Sequence, residues 1–467
     1  MPDLQKIQIF GMGYIGLPTA ALIASRGMQV IGIDTNERVV KKIQSGTVHI
    51  AEPDLDGLVQ KVVSNGSLTA KSKAEAADVF IIAVPTPIDA ENRPDLTSVM
   101  AAAETISGLV KPGNLIILES TSPIGTTEKI ANMIAERRPD LTIGNHGSNG
   151  RNATEGVFVA YCPERVLPGR ILTELVNNDR CIGGVTPACS KRAQRFYKTF
   201  VRGACVATTA RTAELVKLTE NAYRDTNIAF ANELSLICDR HDINVWEAID
   251  LANRHPRVKI LRPGPGVGGH CIAVDPWFII DSAPDLARVM RTSREVNNHK
   301  TEVIIDRAVA LIDENPYASV ACCGLAFKAN VDDLRESPAM EIASHLVNKY
   351  GSRIKIVEPN LKQMPLQFSK YGAEFVNIDD AVRTCEIAII LVDHDEFKSV
   401  PLADRRHLDV IDTRGIWQDM PARSQEYTPL PAKPAQPFVA TLSLTPNHLA
   451  VNGVEHDALS SDMLAPG

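Results

Sequence analysis

The chain has 467 residues, 44% hydrophobic and 22% charged, with a formal charge of −7. It is too long for one ordinary core of roughly 100–200 residues, and its negative balance gives no electrostatic ground for nucleic acid as a partner. No apolar run approaches the ~20 residues that span a bilayer, so no membrane insertion is expected.

The start of the chain enters a strand almost at once and lacks the basic-then-apolar pattern of a secretory signal. Nine cysteines, an odd number without C-x-x-C spacing, argue against a disulfide framework or zinc knuckle, and no metal site is expected. Cys181, Cys189, Cys205, Cys238 and Cys385 read as small buried hydrophobes, and a reducing cytoplasm fits all nine.

Short apolar runs at 6–10, 30–33, 79–84 and 115–118 alternate with helical patterns, the signature of a parallel sheet built from βαβ units. Residues 144–156 are polar and Gly/Asn-rich and read as an exposed loop. From 212 to 241 runs a helical pattern without Gly or Pro, long enough to cross between domains. Pro and Gly crowd 262–269, which must be a loop. Strand candidates resume at 320–324, 354–357 and 387–392. The expected fold is α/β, two Rossmann-like parallel-sheet domains joined by a long central helix. The division is 1–205 for dinucleotide binding, 206–310 helical and central, and 311–420 for the second α/β half, with a Pro-rich flexible tail at 421–467.

Gly11-Met-Gly13-Tyr14-Ile15-Gly16 follows a strand and opens a helix. Gly11 permits the turn, Gly13 lets a pyrophosphate approach the backbone, and Gly16 allows helix and strand to pack closely. The helix N-terminus offers free N–H groups to the phosphates. Asp34 closes the next strand at the spacing of a ribose-binding carboxylate, which favours NAD over NADP, with Arg38 nearby. Thr86 and Thr121 follow buried strands, where they either cap turns or meet the cofactor.

On the long helix Lys217, Asn221 and Arg224 share one face, a pattern that on its own also describes a solvated stripe. The glycine-rich run ending in Gly268-Gly-His-Cys271, followed by Asp275, leads directly into a thiol able to attack a carbonyl if positive charge favours its thiolate.

These residues, with Glu119-Ser-Thr-Ser-Pro, Tyr161-Cys-Pro-Glu-Arg-Val-Leu-Pro-Gly169, Lys217-Leu-Thr-Glu-Asn221, Gly324-Leu-Ala-Phe-Lys328 and Asp333-Leu-Arg-Glu-Ser-Pro338, resemble the UDP-glucose/GDP-mannose dehydrogenase family over about residues 5–418. Within it the resemblance is strongest to the branch acting on UDP-N-acetyl-D-mannosamine in bacterial surface-polysaccharide pathways. It implies a four-electron oxidation of a UDP-sugar C6 alcohol to the uronate, with NAD as acceptor and Cys271 passing through a thiohemiacetal and a thioester.

By motif position the resemblance implies that Lys217 stabilises the oxyanion at C6 or shuttles its proton, with Asn221 as a second donor. Glu164 acts with water in hydrolysis, Asp275 assists proton movement, and Thr121 contacts the nicotinamide side or orders a water. Arg165, Val166, Arg224, Gly268 and Lys328 line the sugar-nucleotide site, and Arg335 reaches the NAD phosphates. His255 and Arg257 complete a neighbouring subunit's site in a homodimer built on the long helix. Uncharged Ala273-Val274 mark a substrate subclass, and Arg414 has no assigned position. UDP-glucose, UDP-N-acetylglucosamine and UDP-N-acetylgalactosamine stay open as substrates. A two-electron β-hydroxyacid dehydrogenase, which also pairs a Rossmann domain with a Lys-x-x-x-Asn helix but needs no thiolate, is the rival reading.

Overall fold

The computed structural model describes residues 6–50, 52–144, 156–167 and 169–418. The expected loop, apart from its two end residues, and the expected tail lie outside the described residues, as does Pro168.

Among the described residues, nine strands form the first sheet. They are β1 (Lys6–Phe10), β2 (Gln29–Ile33), β3 (Leu68–Lys71), β4 (Val79–Ile82), β5 (Leu115–Leu118), β6 (Thr142–Ile143), β7 (Gly156–Tyr161), β8 (Arg180–Gly184) and β9 (Cys205–Thr209). Their order is β3-β2-β1-β4-β5-β7-β8-β9, with β6 beside β7. The central strands are apolar on both faces because helices cover both, as in β4 and β5, where every residue is buried. The second sheet comprises β10 (Val320–Cys323), β11 (Ile354–Val357), β12 (Glu374–Phe375), β13 (Ile387–Ile390) and β14 (Asp409–Asp412). Its order is β12-β11-β10-β13-β14, all parallel. The α/β expectation therefore holds, with one departure: β8 runs antiparallel to β7. The 162–179 connection stays at the end of the sheet where β7 finishes. Buried Glu52 anchors it by accepting from the Gly169 and Ile171 backbone N–H at 2.8 and 2.7 Å.

The long helix is Ala210–Arg240, its N-terminus capped by the Thr209 hydroxyl, which accepts from Thr212 N. A second long helix, Arg288–Glu314, was not expected from the sequence. The first half of its buried face carries Ser293, Arg294, Asn297, Lys300 and Thr301, and only the second half, with Ile304, Ala308, Leu311 and Ile312, shows an apolar stripe. Three of those polar groups bond across the helix pair. Arg294 Nη1 donates to Asp225 Oδ1 at 2.7 Å, Asn232 Nδ2 to Asn297 Oδ1 at 2.9 Å, and Lys300 Nζ to Ser235 Oγ at 2.7 Å. No helix among the described residues is long and apolar enough to cross a membrane.

Candidate active site

The glycine turn after β1 is built as its spacing requires. Gly11 has φ +90°, and a Cβ there would lie 2.5 Å from Ala83 O; one on Gly16 would lie 1.8 Å from Gly11 O. A Cβ on Gly13 would meet nothing within 4 Å among the described residues, so the backbone there is open to a phosphate while its two sister glycines are closed by protein. The residues present fit a dinucleotide. Asp34, at the end of β2, accepts from Met12 N at 2.9 Å through one oxygen and from Asn36 N at 2.8 Å through the other, and it stays partly exposed. Arg38 is exposed in the first turn of the next helix. Thr86 Oγ1 donates to the Thr121 carbonyl at 2.7 Å, joining two strand ends of the same sheet. The Arg335 guanidinium comes from the second half and lies 5.3 Å from the Tyr14 ring centroid, while bonding Asp333 through Nη2 at 2.6 Å. The two halves thus meet over the glycine turn.

A second cluster forms where the glycine-rich run enters the helix Asp275–Ser282. Asp275 N donates to Cys271 O at 2.8 Å, so the carboxylate stands one turn beyond the sulfur. Asn221, on the long helix, donates through Nδ2 to Asp275 Oδ2 at 2.6 Å in a buried contact. Burial pushes the Asp275 carboxyl up to about 6, against the pull of Lys217 and Asn221. Burial also pushes the Cys271 thiol up to about 11; Asp275 adds to this and Lys217 opposes it. The resting sulfur is therefore a thiol. Of the polar residues sharing the long helix face, Lys217 and Asn221 act on the Cys271–Asp275 segment, whereas Arg224 is exposed.

Glu164 follows β7 and is 8% exposed. Its Oε2 accepts from Val166 N at 2.6 Å, and burial raises its carboxyl, opposed by Arg180, Val166 and Lys217. Neighbouring Arg165 turns to Glu220 of the long helix, with Nε 3.0 Å from Oε2. Lys328 is exposed on the loop after β10. The glycine-rich run is pressed against the second half. A Cβ on Gly268 would lie 2.3 Å from Glu336 O, and one on Gly269 3.0 Å from the Phe327 ring. Arg414 also finds a place, with Nε 2.9 Å from Asp393 Oδ1 and its guanidinium against Gly264.

His255 and Arg257 are not brought to this cluster within the chain. They lie in an exposed turn after the helix Val245–Ala252, where Arg257 N donates to His255 Nδ1 at 3.3 Å. Asn227 ties the following residues to the long helix, accepting from Leu261 N at 3.0 Å. The sequence reading missed Arg180, Glu119 and Tyr197, which stand buried behind Glu164. Glu119 belonged to a motif singled out at its strand end, a signal that could have found it. Of the five cysteines expected to be buried, Cys181 is only half-buried. Among the described residues no group of His, Cys, Asp and Glu is arranged to hold a metal ion.

Comparison with known proteins covers nearly all of this framework. Three domain models of the UDP-glucose/GDP-mannose dehydrogenase family match in order: the NAD binding domain over residues 5–201, the central domain over 211–299 and the UDP binding domain over 321–419. An NDP-N-acetyl-D-galactosaminuronic acid dehydrogenase of Ralstonia nicotianae is 52% identical over 415 residues, 89% of this chain and 97% of its own. The UDP-N-acetyl-D-mannosamine dehydrogenase of Escherichia coli is 51% identical over 420 residues, 88% of this chain and 99% of its own. The solved UDP-D-ManNAc dehydrogenase of Pyrococcus horikoshii is 37% identical with a TM-score of 0.78, covering 90% of this chain and 97% of its own. With the open glycine turn, the carboxylate at the end of β2 and a matched nucleotide-binding half, the chain belongs to the UDP-glucose/GDP-mannose dehydrogenase family and is an NAD-dependent nucleotide-sugar dehydrogenase.

Proposed function

We propose that the enzyme oxidises the C6 alcohol of UDP-N-acetyl-D-mannosamine to the uronate, using Cys271 as a covalent nucleophile, to supply surface-polysaccharide synthesis in the cytoplasm. The observation that carries this reading is the buried Asn221–Asp275 contact one turn from Cys271, with Lys217 acting on both the sulfur and the carboxylate. The choice of sugar rests on the relatives named for N-acetylmannosamine.

NAD, when bound, accepts one hydride in each of two oxidations. In the first, Asp275 and Lys217 manage the alcohol proton, and Asn221 holds the oxygen. The Cys271 sulfur then adds to the aldehyde carbon, and its proton ends on the new hydroxyl oxygen; this thiohemiacetal retains the aldehyde. Loss of the second hydride and the hydroxyl proton leaves a thioester on Cys271. Water adds its oxygen to the thioester carbon and gives a proton to Glu164; the C–S bond breaks and the sulfur is reprotonated. Thr121 and Thr86 would border the nicotinamide, and Arg335 would hold the phosphates. Arg165, Val166, Arg224, Gly268 and Lys328 surround the nucleotide sugar.

Residues 1–205 serve the cofactor, 206–310 the dimer and 311–420 the UDP-sugar. Tyr223, Phe230 and Ile237 recur every seven residues on the long helix and are 64%, 54% and 50% exposed. Such a seam supports a homodimer, in which His255 and Arg257 reach the partner's site.

The test is to count NADH formed per sugar across a panel of UDP-sugars. Two NADH per UDP-N-acetylmannosamine are expected, and one would overturn the covalent four-electron scheme. A second reading, an N-acetylgalactosamine substrate, is favoured by the 52% identical relative named for N-acetylgalactosaminuronic acid; the same panel decides between them.

A further inference from the structure

Behind Glu164 lies a buried group of charges that the reaction as described does not use. Arg180, the first residue of β8, is 3% exposed; its Nη2 donates to Leu175 O at 3.2 Å, but its Nε and Nη1 find no hydrogen-bond partner among the described residues. Nη1 stands 4.0 Å from Glu164 Oε1, which has no hydrogen-bond partner among the described residues. Glu119, directly after β5, is 4% exposed; its Oε1 accepts from Tyr197 OH at 2.6 Å and its Oε2 has no hydrogen-bond partner among the described residues. The guanidinium carbon lies 5.7 Å from the Tyr197 ring centroid. Three chain segments thus bring one guanidinium and two carboxylates together, each with at least one buried polar atom that no described residue bonds.

A buried guanidinium left unpaired is costly, and the charges that offset it are these two carboxylates. One cation cannot neutralise two buried anions, so the trio holds a proton more readily than isolated carboxylates would. Burial pushes Glu119 up to about 7, with Arg180 and Tyr197 opposing and Glu164 reinforcing the rise. Glu164 is also faced by Lys217, and Arg180 by Cys162 and Tyr197.

We propose that Arg180 and Glu119 are positioning residues for thioester hydrolysis: the guanidinium orients the Glu164 carboxylate, and Glu119, with Tyr197, holds the guanidinium. This rests on the covalent reading above. In the hydrolytic step Glu164 takes one proton from the attacking water, the water oxygen joins the carbonyl carbon, and Cys271 leaves as the C–S bond breaks. Arg180 retains its own protons throughout.

The experiment follows a single turnover of the full-length enzyme with NAD and the UDP-sugar that gives two NADH in the panel, reading the acyl adduct on Cys271 by intact mass. Steady-state pH profiles run alongside, and NAD binding checks that each variant is folded. In Arg180→Met the adduct should accumulate and kcat fall by about 10–100-fold, with KM for the sugar changed less than about 3-fold. The acidic limb of the kcat profile should move up by about one pH unit or more, because a cation beside the base is lost. Arg180→Lys should bring the limb back. Glu119→Gln, nearly isosteric and able to keep the Tyr197 hydrogen bond, should slow adduct clearance without moving the limb upward. A wild-type enzyme that forms no adduct overturns the covalent reading itself. A wild-type adduct that Arg180→Met clears at the normal rate, or an Arg180→Met loss confined to KM with an unmoved limb, overturns only the positioning role.

Discussion

The Asn221 amide and the Asp275 carboxylate meet at 2.6 Å, tying the long helix to the one that begins just after Cys271. Asp275 is 3% exposed, and its carboxyl stands at about 6 instead of its ordinary 3.8. The folded chain therefore keeps this proton to higher pH than the unfolded chain. Ionising the buried group costs nothing below about pH 4; the cost grows to about pH 6 and stays constant above. Asp275→Asn should stabilise the fold at pH 7.5 by roughly 1–3 kcal/mol, the order of a two-unit shift, and lose most turnover. Urea melts at pH 4 and 7.5 check this, with the gain expected only at the higher pH.

Cys271 rests as a thiol, held at about 11 by burial, with Asp275 adding and Lys217 opposing. Alkylation by iodoacetamide should therefore accelerate about tenfold per pH unit between pH 7.5 and 9.5. Peptide mapping of Cys271, with Cys271→Ala as the control, reads the rate. A plateau below pH 8 would show a thiolate already formed.

Lys217→Ala should lower kcat by about 10²-fold, the scale of a lost oxyanion donor, with a smaller effect on KM. A near-normal rate would place Lys217 among the solvated residues of its helix.

The Asp34 carboxylate is already engaged by Met12 N and Asn36 N, which fixes its direction. Asp34→Ala should lower the kcat/KM preference for NAD over NADP by at least ~10-fold, because a buttressed negative charge no longer opposes a 2′-phosphate. Unchanged discrimination would assign the ribose to another group.

Phe230→Glu places a charge in the exposed seam of the long helix and should yield monomers in sedimentation velocity, with activity falling in parallel. A dimer that survives the change would put the interface elsewhere.

Strands buried on both faces were the most legible elements: β5 was read to the residue, because an uninterrupted Leu-Ile-Ile-Leu has no other comfortable place. The helix Arg288–Glu314 escaped notice because the first half of its hidden face is written in Arg294, Asn297 and Lys300, residues that look solvated until their partners on the other long helix appear. The same reason divides the site. Cys271 and Asp275 sit in one short motif, so their proximity is local. Arg180 reads as an ordinary strand start, and only the fold brings it beside Glu164 and Glu119. The antiparallel β8 was equally hidden, since pairing direction depends on which end of the sheet the chain returns to.

The packing of Gly268 and Gly269 against Glu336 and Phe327 has a mechanical corollary. Upstream of the sulfur the backbone is seated on the second sheet's domain. Downstream, Phe278 is packed with Leu218 and Ala222 of the long helix. Cys271 therefore sits on a short span clamped at both ends, and a methyl group at either glycine would push the upstream clamp off its seat without touching a reacting atom.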